Sequence, residues 1–279
     1  MGTYLRPLDL EETLAALAAT PLTILAGGTD FYPAHVGKPV LENILDVTRI
    51  LSLRGITETD SAWRIGATTT WTDLIRAPLP DYFRALKLAA WEVGGQQIQN
   101  AGTIAGNICN ASPAADGVPA LLALGSTVEL RSVGVVRQIP LAEFILGNRK
   151  TSRQSTELVT AIHVPKWGEN SRSTFLKLGA RKYLLISIAM VAACIEVDRN
   201  GNIAKACISV GACSPVARRL HELEGKLIGQ RMSASLANVV EPSDLAVFSP
   251  IADIRSSADY RLDAALTLVK RALIELANE

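Results

Sequence analysis

The sequence predicts an α+β protein, and three observations carry that reading. Residues 9–19 and 258–277 have helical periodicity with capping signals, whereas the apolar stretches between are short and bounded by turn residues. Two strand-like runs near the C-terminal third, Ile186–Val197 and Ile203–Val210, are joined through Asp198-Arg199-Asn200-Gly201, and Asn-Gly is a strong hairpin signal. The composition, 48% hydrophobic and 20% charged over 279 residues, supports a sizeable core divided over about two domains.

The first element is a short helix over 9–19. Asp9 stands as N-cap with Glu12 three residues on, and Leu10, Leu14 and Leu17 recur on one face. Leu22-Thr23-Ile24-Leu25 reads as a buried strand that runs into a glycine turn. Further strands are expected near Ile44–Val47 and Trp63–Ala67, and a helix over 81–93. The stretch Gly94–Gly117 is rich in Gly, Asn, Gln and Ala with weak periodicity. It reads as a long irregular segment, and such a segment inside a compact domain is usually functional. A helix near 117–125 and strands near 127–139 and 157–164 follow. Pro165–Ser171 is the best linker. Beyond it come strands, a helix from Ser214-Pro215 to about Leu227, and a last helix over Ala258–Ala277. The apolar face expected for that last helix is Tyr260, Leu262, Ala265, Leu266, Val269 and Leu273.

Several function classes are excluded by composition. The net charge of +1 gives no electrostatic footprint for nucleic acid. No apolar run reaches the roughly 18 residues that span a bilayer. The first residues lack a signal-peptide core, so a cytoplasmic location is expected. Cys109, Cys194, Cys207 and Cys213 are dispersed and not grouped with His35, His163 or His221. They read as small buried or half-buried thiols, and no metal site is expected.

Two segments carry chemistry. Leu25-Ala26-Gly27-Gly28-Thr29-Asp30 places glycines directly after a strand, where backbone N–H groups approach an anion closely. A plain tight turn is the simpler alternative. The second, Thr103-Ile104-Ala105-Gly106-Asn107 and its continuation to Asp116, offers amides and hydroxyls with almost no charge. That suits a phosphate or diphosphate and not acid–base catalysis, so no catalytic residue is assigned. Neither of the two common nucleotide-binding glycine motifs occurs here.

Together, A-G-G-T-D at 26–30, T-I-A-G-N at 103–107 and P-A-A-D at 113–116 resemble the FAD-binding medium subunits of the xanthine dehydrogenase and carbon monoxide dehydrogenase group. The likeness extends from Tyr4-Leu5-Arg6-Pro7 through the run Phe175–Lys182 to Asp253-Ile254-Arg255 and Tyr260-Arg261. The resemblance implies a two-subdomain FAD-binding domain of the vanillyl-alcohol-oxidase type over 1–170 (subdomains about 1–57 and 58–170). An α+β C-terminal domain with an antiparallel sheet would follow over 171–279. It implies FAD held non-covalently by both loops, with Asp116 contacting the cofactor, Val159 lying against it and Lys177 near the flavin. It implies a large molybdopterin subunit and a small [2Fe–2S] subunit as partners, with NAD as one possible electron acceptor. A self-sufficient flavin oxidase is the alternative. From the residues alone, Lys177 would be a surface strand lysine and Asp116 a helix N-cap. Three positions depart from the family pattern: Ala105 replaces a glycine, Gln99 replaces an arginine, and Leu185 stands where many relatives carry an acid. The extra cysteine-rich insertion of one family branch is absent.

Overall fold

The computed structural model describes residues 2–180 and 186–279, so the sequence features at Arg181, Lys182 and Leu185 lie outside the described residues. The chain begins with β1 (Tyr4–Leu5), α1 (Leu10–Ala19), β2 (Thr23–Leu25), α2 (Phe31–Ala34) and β3 (Ile44–Asp46). The strands form a parallel sheet in the order β1-β3-β2. Asp9 caps α1 by accepting from the N–H groups of Glu11 and Glu12 at 2.8 and 3.0 Å. Leu14 and Leu17 then pack with Leu45, Val47, Ile50, Leu53 and Leu158.

Next come β4 (Ile56–Glu58), β5 (Ala62–Gly66), α3 (Trp71–Arg76), α4 (Arg84–Glu92), α5 (Gln96–Ala101), α6 (Ile104–Asn110) and α7 (Gly117–Ala123). They are followed by β6 (Thr127–Ser132), β7 (Val135–Pro140), α8 (Leu141–Phe144), β8 (Ile145–Gly147), β9 (Lys150–Thr151) and β10 (Leu158–Pro165). A five-stranded antiparallel sheet runs β4-β5-β10-β6-β7, and β8 and β9 form a small hairpin. The stretch expected to be irregular contains two short helices. Thr103 caps α6 by accepting from the Gly106 N–H at 3.0 Å, and Ile104, Ala105 and Ile108 are buried. Two turns are too short to display a period, and tertiary burial decides the outcome.

The remainder is β11 (Ser171–Leu178), β12 (Ala189–Val197), β13 (Ile203–Gly211), β14 (Arg218–Arg219), α9 (His221–Leu227) and α10 (Ala258–Ala277). The four strands form an antiparallel sheet in chain order. The hairpin between β12 and β13 is not the two-residue Asn-Gly turn. Gly201 alone is left-handed (φ 80°), and the Asp198 carboxylate accepts from Asn200 and Asn202 N–H. Ser214-Pro215 does not start a helix. Arg218–Arg219 first pairs with Ser209–Val210, and the Ser214 hydroxyl instead accepts from the Ser249 N–H at 3.0 Å. In α10 Tyr260 is 51% exposed and Arg261 is buried. The Arg261 guanidinium donates to the carbonyls of Ile188 and Ala212 and to Asp253, which rotates the expected face.

One core runs beneath both antiparallel sheets. Trp71, Leu121 and Val128 share it with Phe175, Met190, Ala192, Cys194 and Cys207. Ser173 ties the halves by donating to the Tyr82 carbonyl at 2.7 Å and accepting from the Ala85 N–H at 2.8 Å. The 165–171 segment is pinned: buried Trp167 donates to the Leu124 carbonyl at 3.1 Å, and Lys205 lies 3.7 Å over its ring. Among the described residues, no helix is long and apolar enough to cross a membrane.

Candidate functional site: a cleft between two glycine loops

The end of β2 delivers Ala26–Asp30 onto the Gly102–Asn107 segment. A Cβ on Gly27 would collide with the Ala101 carbonyl, so this glycine permits the two loops to touch. Gly28 has φ +69°, and a Cβ there would meet the Tyr32 ring at 2.5 Å. The second loop is anchored from behind: Trp71 N–H donates to the Gly102 carbonyl at 3.2 Å and Ile104 N–H to the Thr69 carbonyl at 3.1 Å.

Between the loops lies a cleft of about 740 Å³. Leu25, Ala26, Gly27, Gly28, Thr29, Asp30, Thr103, Ala105, Gly106, Asn107 and Val159 all line it. Ile104 does not, because its side chain is buried in the core on the other side of α6. Ala105 takes helical backbone angles, so the methyl that replaces a family glycine introduces no left-handed strain. Among the described residues, the N–H groups of Gly27, Gly28, Thr29 and Asp30 have no hydrogen-bond acceptor. The buried Asn107 Oδ1 also has no partner. Gly27, Gly28 and Thr29 are half-buried and Asp30 is exposed, so their unmatched donors are open to a partner that enters the cleft.

Asp116 and Lys177 meet elsewhere. The Lys177 ammonium lies 2.7 Å from Asp116 Oδ2, and the Ser187 hydroxyl donates to Oδ1 at 2.7 Å. Both plainer readings fail. Lys177 has a side chain only 8% exposed, and the Asp116 carboxylate makes no cap bond to α7 because its oxygens are engaged by Lys177 and Ser187. Burial holds the Asp116 carboxyl above its ordinary value, while Lys177 and Ser187 pull it back. Lys177 lines a separate hollow of about 340 Å³ with Leu88, Trp91, Glu92 and Phe175. Gln99 is buried and donates to the Trp91 carbonyl at 3.2 Å, so it leaves no charge at the loop.

Sequence reasoning missed part of the wall. Cys109 and Asn110 at the end of α6, and Arg149, Thr151 and Arg153 around β9, also line the cleft. Cys109 is exposed, unlike the buried Cys194, Cys207 and Cys213. Surrounding protein nonetheless desolvates its thiol and pushes its pKa up to about 11. No motif marks Arg149 or Arg153, since their place in the cleft comes from the β8–β9 hairpin folding back on α6.

Comparison with known proteins follows this division of the chain. Residues 1–167 match the family "FAD binding domain in molybdopterin dehydrogenase", and residues 174–276 match "CO dehydrogenase flavoprotein C-terminal domain". The chain is 31% identical to the xanthine dehydrogenase FAD-binding subunit of Escherichia coli O157:H7, covering 98% of this chain and 95% of that one. It is 29% identical to the nicotinate dehydrogenase FAD-subunit of Eubacterium barkeri, covering 99% and 96%. A solved carbon monoxide dehydrogenase from Hydrogenophaga pseudoflava superposes with a TM-score of 0.86 at 29% identity, covering 98% of this chain and 96% of that one. The chain belongs to the FAD-binding flavoprotein subunits of the molybdenum hydroxylase family of oxidoreductases.

Proposed function

We propose that this chain is the electron-transfer flavoprotein of a multi-subunit molybdenum hydroxylase, and that FAD lies in the cleft between the glycine loops. The single observation that supports this most is that Gly27–Asp30, whose N–H groups are unmatched among the described residues, share one cleft of about 740 Å³ with Thr103, Ala105, Gly106 and Asn107. The residues fit the cofactor's diphosphate: unmatched backbone N–H donors of the first loop and the side chains of Arg149 and Arg153 line the cleft, and Asp30 is the one carboxylate among its described lining residues. When bound, FAD supplies one- and two-electron redox chemistry that the side chains of this chain do not.

In this reading Ala26–Asp30 and Thr103–Asn107 hold the diphosphate, and Val159, at the bulge of β10, packs against the cofactor. Lys177 stands near the flavin, its Nζ oriented by Asp116, which Ser187 holds in turn. Electrons arrive from [2Fe–2S] clusters on a small partner subunit, downstream of a molybdopterin centre on a large one, and leave to NAD or another acceptor. The names of the relatives, each a subunit of a dehydrogenase, support a partnered role. The domain division proposed is 1–170 and 171–279, and the location proposed is the cytoplasm.

The test is to express the chain with and without its genomic neighbours, desalt it, and record visible absorption, subunit composition and substrate-dependent dye reduction. Flavin in the lone chain, with hydroxylation only in the complex, is the expected result. Dye reduction by purines, aldehydes or N-heterocycles with the lone, metal-free chain would favour the self-sufficient oxidase instead.

A further inference from the structure

The tip of the β8–β9 hairpin is a two-residue turn, Asn148-Arg149, between the paired Gly147 and Lys150. Arg149 takes a left-handed conformation there, with φ +55°. Gly or Asn is the ordinary occupant of such a position, since a larger side chain is strained in it. The strain is held in place from two sides. Arg149 N–H donates to the carbonyl of Ala111 at 2.9 Å, and its Nη1 donates to Asn110 Oδ1 at 3.0 Å. Ala111 is itself left-handed, with φ +48°. The turn is therefore fastened to the end of α6, whose beginning carries Thr103 and Gly106.

Arg153 stands on the same wall, its Nη1 fixed by the carbonyls of Gln154 and Glu157 at 2.9 and 2.7 Å. Among the described residues, neither arginine lies within 4.0 Å of a carboxylate, whereas Arg54, Arg84, Arg137 and Arg219 each do. Arg149 and Arg153 thus line, without a direct ion pair, the same cleft as the Gly27–Asp30 loop, whose one carboxylate, Asp30, lies beyond 4.0 Å of either, while the Glu157 carboxylate lies near enough to Arg153 to feel its charge. A rigid guanidinium fork suits the paired oxygens of a phosphate.

We propose that Arg149, supported by Arg153, binds a phosphate ester of a dinucleotide held in this cleft, so that its strained backbone is retained for the ligand and not for the turn. The proposal rests on the flavoprotein reading above. The phosphate belongs either to FAD itself or to an acceptor dinucleotide.

The experiment uses the complex, stripped of flavin and titrated with FAD, and then the reconstituted enzyme assayed with NAD⁺. Arg149→Gly removes the fork and relaxes the turn, so its Tm should equal or exceed that of the unsubstituted complex. Arg149→Asn tolerates the same backbone and serves should the glycine variant not assemble. A Kd for FAD raised about tenfold or more assigns the fork to the cofactor. An unchanged FAD Kd with a KM for NAD⁺ raised about tenfold at constant kcat assigns it to the acceptor. Both constants unchanged, with FAD still bound, would overturn the proposal alone. Failure of the unsubstituted complex to bind FAD would overturn the flavoprotein reading and the proposal with it.

Discussion

Lys177 Nζ and Asp116 Oδ2 lie 2.7 Å apart with side chains 8% and 11% exposed, joining β11 to the start of α7 across the core. Such a pair resists loss of one member more than loss of both, because the survivor is a buried charge without a partner. Asp116→Asn is expected to cost about 3–5 kcal/mol. Adding Lys177→Met should recover part of that loss. Denaturant titrations of the two single variants and the double would show coupling. Additivity within roughly 0.5 kcal/mol would mean that the pair contributes nothing as a pair.

Gly28→Val should abolish flavin retention. It forces a β-branched side chain into φ +69° and against the Tyr32 ring, at the lip of the cleft. Gly134 is the control: it is left-handed too (φ +70°), yet open space surrounds it, on the β6–β7 turn. Gly134→Ala should cost about 1–2 kcal/mol of stability and leave the flavin in place. Flavin absorbance per chain after gel filtration reads the difference, and a fully coloured Gly28→Val protein would remove this loop from the site.

Cys109 is exposed on the cleft wall, and its thiol titrates up at about 11. Little thiolate exists at neutral pH, so alkylation should be slow there and accelerate as pH approaches that value. Added FAD should slow it further by covering the wall. Cys194, Cys207 and Cys213 should label only on unfolding, since all three are buried. Peptide mass spectrometry after timed alkylation distinguishes the four, and rapid labelling of Cys109 in the flavin-loaded chain at neutral pH would place FAD elsewhere.

Glu129 is held down at about 2, first by its 3.0 Å contact with His163, then by Thr160, Arg131 and Arg64. A depressed acid stabilises the fold above its unfolded value near 4.5 and loses that contribution as pH falls towards about 2. Glu129→Gln should therefore flatten the stability loss between those limits. Solvent screening at this partly open cluster limits the effect to about 1 kcal/mol. Thermal melts across acid pH would show the change in slope, and parallel curves would argue that the cluster is not formed.

What the sequence made legible follows from length and local chemistry. The helix α10 is long enough to show its period, and Asp9 announces α1 by its own capping bonds. The glycines at 27 and 28 were readable as a place of close approach because few other reasons put glycine after a buried strand. By contrast, α5 and α6 have six and seven residues, too few for periodicity to separate them from a loop. The Asp116–Lys177 pair spans 61 positions, and no local rule joins such residues. The family resemblance pointed to each separately, but that each is the other's partner came only from the fold. Arg149 was hidden for the opposite reason: its conformation contradicts its residue type, so propensity argues against the turn it occupies.

The core common to Trp71, Leu121, Phe175 and Met190 bears on how such a chain can be altered. Its two family regions meet in sequence near residue 170, which invites recombination with relatives at that point. The physical seam lies elsewhere, along the face where Ser173 grips the 82–85 segment and Ser209 donates to the Pro119 carbonyl. A chimera cut at the sequence boundary would set one parent's β11–β13 face against the other's α4 and α7. A graft that respects the seam would carry those two helices along with the sheet, leaving the glycine loops and the hairpin of Arg149 to the recipient.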